Sequence, residues 1–226
     1  MKLRVLTANL WSERTDPAAL ARLVESVRPD VLALQELGFA QADAIRPLLP
    51  YGRLEPRSDC NGLGLALRHP APITVLPLRH REAFVAMLTP GEWPGLDVPV
   101  EIANVHVLAP HATPPWRTFP IRRSQLATLT RWLDEHPHPA RIVCGDLNST
   151  PIWPAYRRLA ERLTDVSLAH AGETKTRPRR TWGPWHGAPR ILRIDHVFAS
   201  GGRALDCRTL PVAGSDHDAV LVELEF

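Results

Sequence analysis

Apolar and polar positions along the chain follow two different periods, which predicts a mixture of strands and helices. Apolar residues alternate with polar ones from Leu3 to Thr7, as expected of a strand. Asp16 is a favourable helix N-cap followed by a proline, and apolar residues then recur on one helical face until Pro29. The next run, 31–34, is continuously apolar, which predicts a strand buried on both faces.

Similar patterns continue to the end of the chain. They predict further helices at 40–49, 120–135 and 155–163, and further strands at 64–67, 73–76, 84–88, 98–107, 141–144, 192–199, 205–212 and 219–225. Because βαβ units are mixed with hairpins, we predict an α/β fold in which two mixed β-sheets pack together and helices flank them outside. No Ser/Gly-rich or single-sign segment divides the chain, so we expect one domain spanning residues 1–226.

Composition narrows the class of protein. The 226 residues include 27 Lys and Arg against 24 Asp and Glu, a formal charge of +3, and 44% are hydrophobic. These values argue against intrinsic disorder, and the charge alone is too small to mark a nucleic-acid-binding surface. Three cysteines without Cys-x-x-Cys spacing indicate neither a disulfide framework nor a zinc cluster.

The chain also lacks the pattern of a membrane protein. No apolar run approaches the roughly 18 residues of a transmembrane segment, and polar residues interrupt the segment after Lys2 and Arg4 before the apolar core of a signal peptide can form. We therefore expect a cytoplasmic monomer with no obligate protein partner.

A carboxylate stands at the end of the apolar strand 31–34. Glu36 would lie at the rim of the core, where an isolated charge is costly. A hard divalent cation such as Mg²⁺ would stabilise it, because this ion prefers oxygen ligands. The alternative is a surface-facing strand end paired with an arginine.

Further short motifs combine side chains that suit the hydrolysis of phosphate esters. Asp146 and Asn148 have i, i+2 spacing, which on an extended segment places both side chains on one face, where they could orient a water and donate to a phosphoryl oxygen. The alternative is an Asx turn after the strand. Asp195 and Asp216 each precede a histidine, and one buried aspartate could hold one histidine in the required tautomer.

The order of these motifs is more specific than any one of them. In chain order they are Asn9, Leu34-Gln35-Glu36, Asn104-Val105-His106, Gly145-Asp146-Leu147-Asn148, Arg193-Ile194-Asp195 and Ser215-Asp216-His217. As a set they closely resemble the endonuclease/exonuclease/phosphatase superfamily, which includes DNase I-like and exonuclease III-like enzymes, and the resemblance extends from Val5 to Leu224. It implies a DNase I-like four-layer α/β sandwich.

Carried over position by position, the resemblance implies a Mg²⁺ or Mn²⁺ site with Glu36 as the principal ligand, assisted by Asn9 and Asp216. Asp146 would orient or deprotonate the attacking water. Asn148 would donate a hydrogen bond to the scissile phosphate.

The resemblance also assigns the histidines. His217, oriented by Asp195, would stabilise the developing charge or move a proton. His106 matches the second histidine of DNase I-like members, which favours the DNase I, sphingomyelinase and related phosphoesterase branches over the exonuclease III-like branch.

Candidates for substrate binding lie outside these motifs. Asn61 resembles a substrate-side position of the family. Trp182 and Arg190 lie in a loop, 174–190, that is rich in aromatic and basic residues and contains a basic cluster of Lys175, Arg177, Arg179 and Arg180. Packing of the tryptophans onto the domain is the alternative.

The resemblance predicts a metal-dependent phosphoesterase. The favoured reaction is that of a phosphodiesterase or nuclease, with DNA or RNA as the favoured substrate. A phospholipid, pyrophosphate or sugar-phosphate hydrolase on the same scaffold is an alternative, and short connections after Glu36 and before Asp195 favour it. A non-catalytic phosphate-binding member is a further alternative.

Overall fold

The structure is a computed structural model that describes residues 2–226. The strands, in chain order, are β1 (Lys2–Asn9), β2 (Val31–Gln35), β3 (Tyr51–Glu55), β4 (Leu63–Leu67), β5 (Ile73–Leu78), β6 (Arg81–Leu88), β7 (Val100–His106), β8 (Arg141–Asp146), β9 (Thr164–Asp165), β10 (Asp195–Ser200), β11 (Arg203–Pro211) and β12 (Asp218–Glu225). The helices are α1 (Pro17–Val27), α2 (Phe39–Ile45), α3 (Pro115–Glu135), α4 (Pro154–Ala160) and α5 (Val166–Thr174). Within residues 2–226, no helix has the length and apolar character needed to cross a membrane.

The strands form two six-stranded mixed sheets with the orders β11-β12-β1-β2-β4-β3 and β5-β6-β7-β8-β10-β9. One apolar cluster fills the space between the sheets, and Val5 and Phe84 belong to it. A second cluster joins the first sheet to α1 and α2, and a third joins the second sheet to α3 and α4. The predicted fold, two packed mixed sheets with helices outside, is therefore confirmed.

Strand register brings the polar strand ends together. In the first sheet Asn9 pairs with Gln35 across the parallel β1 and β2. In the second sheet Asp146 pairs with His106 on one side and with Asp195 on the other. Residues far apart in sequence thus meet at one end of the two sheets.

A buried amide network connects the sheets directly beneath that end. Gln35 donates through Nε2 to Oδ1 of Asn104 (2.6 Å), and Asn104 donates through Nδ2 to the carbonyls of Leu34 (3.0 Å) and Gly64 (2.7 Å). Both amide side chains are fully buried. Because unpaired amides are costly in a core, this network holds the sheets in one register relative to each other.

Local sequence explains where α1 begins and ends. The carboxylate of Asp16 accepts hydrogen bonds from the backbone amides of Ala18 (2.9 Å) and Ala19 (3.2 Å). Arg28 adopts a left-handed conformation (φ 47°) with its amide on the carbonyl of Val24, and Pro29 follows. The predicted start and end of this helix agree with the structure.

Other boundaries differ from the predictions. The helix predicted from Pro120 begins at Pro115, because either proline suits a first helical turn and the sequence does not distinguish them. The short exposed strand β3 and the helix α5 were not predicted. Neither has a strong apolar period: β3 is an edge strand with no fully buried residue, and α5 contains Gly172.

A buried ion pair attaches α5 to the second sheet. Asp165 caps the helix at the amide of Leu168 (3.0 Å) and accepts from the Tyr156 hydroxyl (2.6 Å) and the Arg193 guanidinium (2.7 Å). Burial opposes ionisation of this carboxylate, but the adjacent His196 and Arg193 outweigh burial and hold the pKa of Asp165 below its ordinary value. Asp165 is therefore charged throughout the neutral range.

Candidate active site

Asn9 connects two carboxylates at the carboxyl ends of β1, β2 and β8. Its Nδ2 lies 3.0 Å from Oδ2 of Asp146 and 3.3 Å from Oε1 of Glu36. Glu36 follows β2 in a left-handed conformation (φ 53°), and its other oxygen accepts from the Ser12 hydroxyl (3.1 Å). The Glu36 side chain is 17% exposed, whereas the Asp146 side chain is 1% exposed. Of the two carboxylates, Glu36 is thus the one open to an incoming ligand.

Asp146 and Asn148 meet through a tight turn. Oδ1 of Asp146 accepts from the backbone amide of Asn148 (2.7 Å), and Oδ2 accepts from its side-chain amide (2.9 Å). Asn148 has φ 47°, so a left-handed turn, rather than the extended segment predicted, places the two side chains together. The Asx turn and the paired side chains, which the sequence presented as alternatives, coexist. Gly145 precedes them with φ 131°, where an added Cβ would lie 2.0 Å from the Val105 carbonyl oxygen.

The C-terminal motif completes the cluster. Nδ1 of His217 lies 2.9 Å from Oδ2 of Asp195, while its Nε2 lies 3.9 Å from both Asp146 Oδ2 and Asp216 Oδ1. Ser215 anchors this segment, because its hydroxyl donates to the Asn9 carbonyl (2.8 Å) and accepts from the His217 amide (3.0 Å). The structure therefore brings Asp195 and His217 together as an ion pair facing Asp146.

The histidines differ in charge because their neighbours differ. Burial disfavours protonation of His217, but the charges of Asp195, Asp146 and Asp216 outweigh it and raise the pKa of His217 to about 10. Burial, together with the charges of Arg81 and His217, lowers the pKa of His106 well below its ordinary value. At neutral pH His217 carries a proton and a charge, whereas His106 is neutral. His106 Nε2 lies 3.8 Å from Glu36 and 3.7 Å from Asp146.

Asp146 is poised to exchange a proton. Burial, and then the nearby charge of Asp195, raise the pKa of Asp146 to about 7, although His217 and the hydrogen bonds from Asn148 and Asn9 act in the opposite direction. A carboxyl group with a pKa near neutrality is suited to general acid–base chemistry.

Sequence comparison now identifies the family. The chain matches the model of the Endonuclease/Exonuclease/phosphatase family over residues 6–217. The chain belongs to this family. No curated protein matches the sequence.

Solved structures agree in fold. An endonuclease/exonuclease/phosphatase from Bacteroides vulgatus is 17% identical, with a TM-score of 0.75 over 100% of this chain and 99% of that one. The human Nocturnin catalytic domain with bound sulfate is 20% identical, with a TM-score of 0.71 over 100% of this chain and 94% of that one. Truncated TDP2 from Caenorhabditis elegans is 16% identical, with a TM-score of 0.72 over 100% of this chain and 98% of that one. At these identities the similarity shows a shared fold.

Members of this family are typically dependent on a divalent metal, and the oxygen donors at the strand ends fit one. Glu36 and Asp216 both line the cavity at the site. Among the described residues, Oδ1 of Asp216 is buried without a hydrogen-bond partner, and such an oxygen is available to a cation. A second acidic group, Asp146, Asp195 and His217, has ligand atoms within 4.8 Å of one another. The bond between Asp195 and His217 makes this group an ion pair rather than a ligand set.

The cavity beside these groups has a volume of about 580 Å³. Its acidic end contains Glu36, Asp146 and Asp216, with His217 beside them. Much of the remaining wall is aromatic and apolar, and this part consists of Trp11, Cys60, Ala109, Pro110, Trp153, Trp182, Pro184, Leu192 and Ile194. The polar residues of the remaining wall are Ser12, Arg14, His111, Asn148 and Thr150.

The three substrate-binding candidates occupy different places. Trp182 lines the cavity and donates through Nε1 to Asp216 Oδ2 (3.0 Å). Asn61 is exposed, hydrogen-bonded to Asp59, and lines an adjacent cavity of about 710 Å³. Arg190 binds Asp218 (2.8 Å) and the Asp216 carbonyl (2.7 Å), so its guanidinium supports the loop that contains Asp216. Direct substrate binding by these residues stays a prediction.

Two arginines of the basic cluster in loop 174–190 line a different groove. Arg177 and Arg179 line a groove beside α5 and β11, together with Asp206 and Thr209, and not the cavity that contains Glu36.

Sequence reasoning missed several residues that shape the site. Ser12 and Trp11 follow the first strand in a loop without any motif, and Trp153 precedes α4. Arg122 reaches the Asn148 turn from α3, and the only sequence signal for it was a charged residue at a position that faces the core of an amphipathic helix.

Proposed function

We propose that this family member is a divalent-metal-dependent phosphodiesterase that hydrolyses a P–O bond by attack of an activated water. One observation carries the proposal: the polar side chains of the site surround a single oxygen, Oδ2 of Asp146. It accepts from Asn9 and Asn148 and lies within 4 Å of both His106 and His217. A water near this oxygen would meet a base on one side and a charged imidazolium on the other.

Each side chain then has a distinct role. Glu36, with Asn9 and Asp216, would hold Mg²⁺ or Mn²⁺, which when bound supplies positive charge to the phosphoryl oxygens. Asp146 orients the attacking water and accepts its proton as the new P–O bond forms and the ester P–O bond breaks. The Nε2–H of His217, held in place by Asp195, stabilises the charge that develops on the nonbridging oxygen.

Asn148 requires one rearrangement to bind phosphate. Its side-chain amide donates to Asp146 (2.9 Å) and to the Val107 carbonyl (3.0 Å), so both amide hydrogens are engaged. Binding would exchange the bond to Asp146 for a bond to a phosphate oxygen. That exchange would also free Asp146 Oδ2 for the water.

The scarcity of cationic side chains in the cavity wall favours a small phosphoester over a nucleic acid polymer. Arg177 and Arg179, two of the basic residues of loop 174–190, line a separate groove. A polymer needs cations along its path, because phosphate neutralisation dominates nucleic-acid affinity. Cleavage of DNA or RNA is the second candidate function, in keeping with the family's nuclease members.

Hydrolysis of bis(p-nitrophenyl) phosphate tests the proposal. We expect turnover with Mg²⁺ or Mn²⁺ that disappears with EDTA and returns when metal is added in excess. Plasmid DNA, RNA, sphingomyelin, pyrophosphates and sugar phosphates, assayed in parallel, would define the substrate class. Turnover that survives EDTA would contradict metal dependence, and a folded protein that hydrolyses none of these compounds would be a non-catalytic phosphate-binding member.

A further inference from the structure

We propose that Trp11 and Trp153 form a subsite for a flat aromatic group carried by the phosphoester. The inference rests on the proposed function, because it places this group beside the phosphate held by the acidic end of the same cavity. Both indoles are half-buried and both line the cavity. Arg14 is the only lysine or arginine among the described residues of its wall. The part of the substrate beyond the phosphate therefore meets aromatic surface and a single guanidinium, that of Arg14.

Trp11 is held in a conformation that a bulky residue rarely adopts. It has φ 50° and ψ 53°, and Ser12 follows with φ 56°, so two consecutive residues other than glycine are left-handed. This conformation costs free energy, and such strain persists only where the surrounding structure imposes it. Trp11 is not part of the buried core, so packing does not explain why the position holds a tryptophan rather than a glycine.

The groups that impose the strain are those of the proposed metal site. The Trp11 amide donates to Asn9 Oδ1 (2.9 Å), and the Ser12 hydroxyl donates to Glu36 Oε2 (3.1 Å). The side chains of Asn9 and Ser12 therefore orient the Glu36 carboxylate, and Asn9 also holds the Trp11 backbone beside it. An aromatic surface at a defined place next to the phosphate site is the arrangement that a stacking subsite requires.

A guanidinium group lies against each of the two rings. The Arg14 guanidinium lies 4.1 Å from the centroid of Trp11, and the Arg122 guanidinium lies 5.4 Å from that of Trp153. Such cation–π contacts fix the orientation of a ring. Rings that are already ordered lose little entropy when a ligand stacks on them. The ligand chemistry that this wall fits is a small phosphoester with an aryl or nucleobase group.

Three phosphonates with the same anionic head group test the subsite: methylphosphonate, phenylphosphonate and octylphosphonate. Calorimetric titration in the presence of Mn²⁺ measures binding without requiring turnover. We expect phenylphosphonate to bind about tenfold more tightly than methylphosphonate, in the range of aromatic stacking on a tryptophan. Tighter binding of octylphosphonate than of phenylphosphonate would overturn the aromatic assignment in favour of an acyl-chain subsite.

Variants separate the role of the indole from a structural role. Trp11→Gly suits a left-handed backbone, so the protein should unfold at no lower temperature, yet the tenfold preference for phenylphosphonate should disappear. Trp11→Phe should keep most of the preference. Trp116→Ala is the matched control, because Trp116 is exposed on α3 and outside the cavity wall. An unchanged preference in Trp11→Gly would overturn the proposal.

The outcomes also separate this inference from the proposed function. If bis(p-nitrophenyl) phosphate is not hydrolysed but phenylphosphonate binds selectively, the subsite stands and the assigned reaction is wrong. If hydrolysis proceeds but methyl- and phenylphosphonate bind equally, the reaction stands and the subsite is wrong.

Discussion

Arg122 holds the turn that contains Asn148, and removing its guanidinium should loosen that turn. Its side chain reaches from α3 and is almost fully buried. One terminal nitrogen donates to the Asn148 carbonyl (2.9 Å) and the Ser149 hydroxyl (2.7 Å), and the other donates to the Leu108 carbonyl. These bonds join the segment after β7 to the segment after β8. The perturbation is Arg122→Met, which keeps the apolar stem and leaves three acceptors without their donor.

The magnitude follows from these three bonds and the cost of burial. A hydrogen bond to a charged donor contributes about 1.5–3 kcal/mol net. Burial lowers the pKa of Arg122 to about 10, although Asp146 acts in the opposite direction, so desolvation of the cation offsets part of that gain. We therefore expect the free energy of unfolding to fall by about 3 kcal/mol, or the melting temperature by about 6 to 12 °C for a domain of this size. Because Asn148 would lose its fixed position, kcat should fall about 10- to 100-fold.

Urea unfolding followed by tryptophan fluorescence, and hydrolysis of bis(p-nitrophenyl) phosphate well below the melting temperature, measure the two effects. Arg123→Met is the matched control, because Arg123 is the next residue on the helix and is exposed. Its unfolding free energy should change by no more than about 0.5 kcal/mol. Arg122→Lys should lie between wild type and Arg122→Met, since an ammonium cannot reproduce the planar fork. Equal stability and equal kcat in the two methionine variants would refute the reasoning.

Three other substitutions test single features of the structure. Glu36→Gln should weaken the metal dependence of hydrolysis much more than the melting temperature, because it removes the ligand charge and keeps the volume; unchanged activation by Mn²⁺ would contradict the ligand assignment. Asp195→Asn should lower kcat through His217, and in a double-mutant cycle with His217→Ala the losses should be less than additive; full additivity would argue against a coupled pair. Asp165→Asn should destabilise the fold by about 3 kcal/mol at pH 7, because it leaves a buried arginine unpaired. Since the folded-state pKa of Asp165 is lowered, its contribution is present above the unfolded value near 3.8 and is lost as the pH falls further, so the stability difference should shrink below about pH 4; a difference independent of pH between 3 and 7 would exclude this origin.

The parts of the fold that the sequence predicted are those in which burial is periodic. β1 shows alternating burial in its first half and β2 is buried throughout, so apolar residues mark both strands clearly. The cap at Asp16 marks the start of α1. The edge strand β3 has no such signal, because none of its residues needs to be fully buried. The first turn of α3 was missed for a different reason: Pro115 and Pro120 are equally acceptable at the start of a helix.

The site, like the fold, has one part that the sequence predicted and another that only the structure reveals. Its ionisable groups lie at the ends of core strands, so the sequence order of the strands, through the family resemblance, predicted which side chains would meet. Two amides in the same motifs, Gln35 and Asn104, were quoted for the resemblance alone, and their structural role emerged only with the sheet packing, because a bond between sheets has no counterpart in a local pattern. Register within a sheet follows from neighbouring strands, whereas register between sheets depends on buried polar contacts of this kind.

The side chains proposed to recognise the substrate lie in loops, which sequence patterns describe less well than strands and helices. Trp11 and Trp153 occupy segments outside regular strands, where neither period constrains the residue type, and the conformation that makes Trp11 unusual is a backbone angle rather than a residue pattern. Members of this family are typically dependent on a divalent metal, and proteins of one fold acquire different functions through the side chains of their sites. The loop side chains around the acidic end of the cavity are therefore where we expect this protein to differ from relatives of the same fold. In our proposal Trp11 connects the metal site to the subsite that selects the substrate. Its strained backbone donates a hydrogen bond to Asn9, a proposed metal ligand, and its side chain lines the cavity wall.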